Sequence, residues 1–170
     1  MKKRRKIISK KHHPTKNSKI DWKILIASFI LVYLVAFFGS MITNQSVNSS
    51  WYDHIKPSIT PPDFIFPIIW NLLFIFIAVS LYLAFVHSKR SHVKIMSIFG
   101  INLILNLLWS ILFFGLRNPR LAFYDIILLW ISIIGMIFTT WSISKKSSLL
   151  LIPYLLWVSF AMYLNYLMIF

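Results

Sequence analysis

Cysteine is absent from this 170-residue chain, and carboxylates number only four. Without cysteine there is no disulfide, no thiolate metal site, no CxxCH haem attachment and no cysteine nucleophile. The five histidines form no set either: His12 and His13 stand near the amino end, His54 in a connector, and His87 and His92 flank another. None falls in the centre of an apolar run, which argues against a haem held by two histidines. HExxH, a glycine-rich phosphate loop and a Ser-His-acid arrangement are all missing. So are repeated halves with broken helices, the mark of many secondary transporters. No catalytic or metal-ligating set emerges from residue types alone.

What the chain has is apolar length. It is 58% hydrophobic, with a mean hydropathy of +0.74, more than a soluble domain of this size can bury. Five apolar runs, about 24–42, 64–86, 95–116, 121–143 and 149–170, are each long enough to cross a bilayer as a helix. Backbone groups in lipid must be satisfied within the segment, and the alternation of a membrane barrel is absent. The expected fold is all-α, an integral membrane bundle of five transmembrane helices over residues 22–170, behind a basic, disordered tail over 1–21. The first run is too long for a signal peptide, and no small-residue cleavage site follows it.

Charge sets the expected orientation. Ten of the eighteen Lys/Arg fall in the first 23 residues. With the amino terminus inside, fifteen lie on the inner side and three, Lys56, Arg117 and Arg120, outside. That places the amino terminus in the cytoplasm. The net charge of +14 is thus a topology signal with an attraction to anionic lipid, and no nucleic acid is expected as partner. Heavy use of Lys, Ile, Asn and Phe points to a low-GC bacterium and its plasma membrane.

The connector WYDHIKPSITPPDFIFPIIW, Trp51 to Trp70, is the most informative stretch. Pro57, Pro61 and Pro62 fix φ and remove donors, so it cannot be helical throughout. A stiff loop carrying aromatics beside a membrane helix suits the cover of something flat and apolar. In the third run, Asn102, Asn106, Trp109 and Phe113 share one helical face, and amides in hydrocarbon point inward. The plainer reading of these is interhelical hydrogen bonding, worth about 0.6 kcal/mol each. Asp125 lies in an apolar run near Arg117 and Arg120, where an interfacial ion pair or a helix-start charge is expected rather than a proton relay. Trp157 and Ala161, one turn apart, can frame a slot, although Trp near a membrane end is commonly an interface anchor.

Three blocks, the connector, NLILNLLWSILFFG at Asn102–Gly115 and PYLLWVSFAMYLN at Pro153–Asn165, together resemble the tryptophan-rich sensory protein family (TspO/MBR). Its eukaryotic members are called translocator protein or peripheral benzodiazepine receptor. The likeness covers about 24–170 in order and spacing. It implies a five-helix bundle, often a homodimer, that binds tetrapyrroles such as protoporphyrin IX or haem as ligand, with no obligatory cofactor and no metal. Eukaryotic relatives also bind cholesterol and synthetic benzodiazepine or isoquinoline ligands. Carried over by motif, the binding positions are Tyr52, Pro57, Trp70, Phe74, Asn106, Trp109, Trp157 and Ala161.

The resemblance implies a membrane receptor or sensor, with two rivals. One is light- and oxygen-dependent protoporphyrin IX degradation, with Trp70 and Trp157 as the redox-active pair. The other is a porphyrin carrier. Lys56 or His54 is placed to meet a propionate. No Lys or Arg follows Tyr163 or Tyr166, so the sterol motif is incomplete, which counts against sterol binding. No GxxxG seam is present, only Ala36 and Ser40 as a small-residue pair.

Overall fold

A computed structural model describes residues 20–88 and 90–169; residues 1–19 of the basic tail, Lys89 and Phe170 lie outside the described residues. Among the described residues six α-helices follow one another: α1 (Trp22–Asn44), α2 (Ser50–Ile55), α3 (Ile65–His87), α4 (His92–Ser110), α5 (Pro119–Trp141) and α6 (Lys145–Leu167). All except α2 are long and apolar enough to cross a membrane, α4 together with a π-helical turn, Ile111–Gly115, that continues it. The expected five-helix membrane bundle is therefore the fold.

Helix starts follow local chemistry. The Asp21 carboxylate accepts from Lys23 and Ile24 N–H at the head of α1, and the Asn118 side chain accepts from Leu121 N–H with Pro119 in the first turn of α5. The apolar runs misjudge most ends by a few residues. The last span starts at Lys145 instead of 149, because a polar first turn is admissible at the membrane surface although apolarity does not reveal it. Within the connector, Ser49 caps α2, whose Lys56 N–H still bonds to Tyr52 O. Pro57, Pro61 and Pro62 then hold the chain out of helix until α3.

The long helices close into a ring: α1 packs on α3 and α4, α3 on α6, α6 on α5, and α5 on α4. Outward residues such as Ile26, Ile30, Phe138 and Leu156 are exposed and apolar, the surface that lipid requires. The two halves of the ring differ. Away from α2, the core is filled by Ile77, Phe99, Met136 and Leu151, all fully buried. There, hydroxyls tie the helices: Ser80 Oγ lies 2.8 Å from Ser147 Oγ, and Thr140 Oγ1 lies 2.7 Å from Ser148 Oγ. Such pairs satisfy polar groups that hydrocarbon cannot. The half beneath α2 is not filled.

Candidate functional site

That half holds a cavity of about 370 Å³, within the range of small-molecule sites. Each spanning helix gives one face to it. On α3 the face is Phe66, Trp70 and Phe74, and on α6 it is Val158, Ala161 and Asn165. From α1 come small residues, Ala36, Gly39, Ser40 and Thr43. Ala36 and Ser40, the small-residue pair of the first run, thus line the cavity, and a Cβ on Gly39 would approach Ser110 Oγ to 3.5 Å.

The π-helical turn makes the aromatic side of the wall. Leu116 N–H bonds to Ile111 O at 2.8 Å, one residue more than an α-turn spans, and the extra residue lets adjacent Phe113 and Phe114 both be buried. Trp109 stacks on Phe113 with centroids 5.0 Å apart and planes at 20°. Tyr52 closes the top, its ring 5.7 Å from Phe114 and 6.4 Å from Phe113. The Ser46 hydroxyl donates to Phe114 O at 3.1 Å, tying the chain before α2 to this turn. The sequence signal for the turn was the paired FFG, which the helical-face count passed over.

A polar chain backs the wall. Asn106 Nδ2 donates to Tyr154 OH at 3.2 Å, Tyr154 OH donates to Asn102 Oδ1 at 3.3 Å, and Asn102 Nδ2 donates to Ser132 Oγ at 2.8 Å. Trp109 Nε1 donates to Asn165 Oδ1 at 3.2 Å, and Asn165 Nδ2 to Pro119 O at 2.9 Å. The amides do face inward, paired across helices as hydrocarbon demands.

Six of the eight expected positions meet around the cavity: Tyr52, Trp70, Phe74, Asn106, Trp109 and Ala161. Trp157 does not line it. The lining stripe of α6 runs through Val158 and Ala161, so Trp157 sits at its edge. There it packs edge-on against Phe66 at 5.7 Å, with its indole N–H buried and forming no hydrogen bond among the described residues. Pro57 shapes the loop above, its carbonyl accepting from Thr60 N–H at 3.0 Å, and is also outside the wall.

Lys56 and His54 are not turned to the cavity. Lys56 Nζ lies 2.6 Å from Asp53 and 3.8 Å from Asp63, and 5.5 Å above the Tyr52 ring. Its hydrogen bond to Asp53 raises its pKa. His54 Nδ1 bonds to Ser50 O within α2. Burial pushes the Tyr52 hydroxyl up to about 12, with Asp63 and Asp53 adding to the rise, so it is a neutral phenol at ordinary pH. Asp125 corrects both sequence alternatives: it pairs with neither Arg117 nor Arg120, it lies beyond the first turn of α5, and both carboxylate oxygens are buried without a hydrogen bond among the described residues. Arg117 instead places its guanidinium 5.9 Å over the Trp51 ring.

The geometry defines a class: a five-span membrane protein with an aromatic-walled cavity in one half of the bundle. Residues 28–170 match the model of the TspO/MBR family, and the chain belongs to that family. It is 43% identical over 140 residues to the tryptophan-rich protein TspO of Chlorobaculum tepidum, covering 80% of this chain and 87% of that one. The protein of the same name from Archaeoglobus fulgidus is 43% identical over 143 residues, covering 84% and 92%. The translocator protein of Bos taurus is 30% identical over 150 residues, covering 85% and 88%.

Proposed function

We propose that this membrane protein is a receptor or sensor that binds tetrapyrroles, protoporphyrin IX or haem, in the cavity beneath α2. The observation that carries the reading is the wall itself. Trp70, Phe74, Trp109, Phe113 and Tyr52 surround one void, and flat aromatic guests gain from offset or edge contacts with such rings beyond the area they bury. The filled, hydroxyl-tied half of the bundle favours binding over carriage, since a carrier needs a path through both halves. The amino terminus is assigned to the cytoplasm and the α2 end to the outer face of a bacterial plasma membrane, on the fifteen-to-three bias of Lys/Arg.

Titrating detergent-purified protein with protoporphyrin IX tests the reading through tryptophan fluorescence. Saturable quenching that weakens in Trp70→Ala is expected. Linear, unsaturable uptake refutes it.

A further inference from the structure

The charges around the cavity mouth are unevenly placed. Among the described residues that line the cavity, one is a carboxylate, Asp63, and none is Lys, Arg or His. Asp63 follows the rigid Pro61-Pro62 pair at the entry to α3, where Ile65 N–H returns to Pro62 O at 2.9 Å, so its position on the rim is fixed by backbone. Its side chain is 42% exposed, which fits a group at the opening rather than in the depth.

The nearest cation, Lys56, is shared between Asp63 and a second carboxylate, and the others are turned away. Lys56 lies closer to Asp53, at 2.6 Å, than to Asp63, at 3.8 Å. One ammonium facing two carboxylates leaves the loop with an excess negative charge. The Arg117 guanidinium sits over Trp51, and Trp51 packs on Phe113 at 5.8 Å, so that charge stays behind the aromatic wall. His54 is bonded within α2. Arg120 is exposed at the start of α5 and does not reach the wall. Deeper in, the Trp109 indole N–H and an Asn106 amide N–H are already donated to Asn165 and Tyr154. That withdraws two donors an anionic ligand would use.

We propose that Asp63 is a specificity-determining residue that makes the cavity select flat apolar ligands that are uncharged or cationic at the loop end over ligands bearing carboxylates there. The inference rests on the cavity being the ligand site. A dianionic porphyrin still binds, but more weakly than the same macrocycle with its carboxylates masked.

Full-length protein in neutral-lipid nanodiscs is titrated with protoporphyrin IX, its dimethyl ester and a porphyrin of the same core bearing two amines, with tryptophan quenching as readout. The wild type is expected to bind the ester and the amine about tenfold more tightly than the diacid, a gap that shrinks in high salt. Because the ester also partitions better into lipid, the decisive quantity is how the diacid-to-ester ratio changes between variants. Asp63→Asn should bring the two within about twofold, and Lys56→Met should widen the gap by removing the counter-charge. An unchanged ratio in both variants overturns the assignment, as does a wild type that prefers the diacid. Failure of all three porphyrins to saturate overturns the ligand-site reading beneath it, a result distinct from equal saturable binding of all three, which defeats the charge selection alone.

Discussion

Tyr154→Phe is the sharpest probe of the polar chain behind the cavity. Tyr154 is fully buried, and its hydroxyl both accepts from Asn106 at 3.2 Å and donates to Asn102 at 3.3 Å. The substitution keeps the ring, and with it the edge contact to Trp70 at 6.2 Å, so the packing term is small. What is lost is two interhelical hydrogen bonds, about 0.6 kcal/mol each inside a membrane bundle. Asn102 keeps its bond to Ser132 at 2.8 Å, which limits the desolvation cost to the stranded Asn106 donor and Asn102 acceptor. The expected destabilisation is therefore about 1–2 kcal/mol. Unfolding by sodium dodecyl sulfate in mixed micelles, followed by helical circular dichroism, measures it. A cycle with Asn106→Leu should return a coupling of about 0.6 kcal/mol or more. A Tyr154→Phe protein as stable as wild type, or an additive cycle, refutes the network as a stabilising element.

Trp70→Ala should weaken porphyrin binding by about tenfold or more, because a cavity-wall indole supplies both buried area and ring contact. Trp157→Phe, at the edge of the cavity against Phe66, should change it by no more than about threefold. If illuminated protein converts protoporphyrin IX to a bilin-like absorbance, Trp70→Phe should suppress that conversion more than Trp157→Phe. Equal loss in both would show that the outer indole acts as directly as the inner one. Arg117 has φ 49°, so Arg117→Val should destabilise by about 1–2 kcal/mol while Arg117→Gly is tolerated. The Tyr52 hydroxyl titrates higher in the folded protein than in the unfolded chain. Its contribution to stability is then complete below pH 10 and is lost as pH rises toward 12. Tyr52→Phe should flatten that part of a pH–stability curve, and an unchanged slope would contradict it.

Apolar length revealed the five spans because hydrocarbon leaves the backbone no alternative to helix, and the shared face of Asn102, Asn106 and Trp109 was legible because amides in lipid must turn inward. Trp157 shows where such reasoning stops. Spacing fixes which residues of α6 share a face, but not which way that face is rotated in the ring. A difference of one position, Trp157 against Val158, decides between lining the cavity and packing at its edge against Phe66. The charged residues fail for another reason. Lys56 is expected from the chain to meet a propionate, yet it is held by Asp53 three residues before it, and Asp63 is brought beside it by the fold of the proline loop. Asp125 stands close in sequence to two arginines, but the turn through Arg117 and Pro119 sends the Arg117 side chain over Trp51 instead. The loop therefore has two tasks that composition could not separate. Tyr52 closes the cavity from the proline-stiffened loop, while Lys56 holds Asp53 and neighbours Asp63, leaving the rim acidic. On the proposed reading, an aromatic interior under an acidic rim is a stricter filter than either alone, since rings favour any flat guest and a rim carboxylate weighs the charge that guest carries.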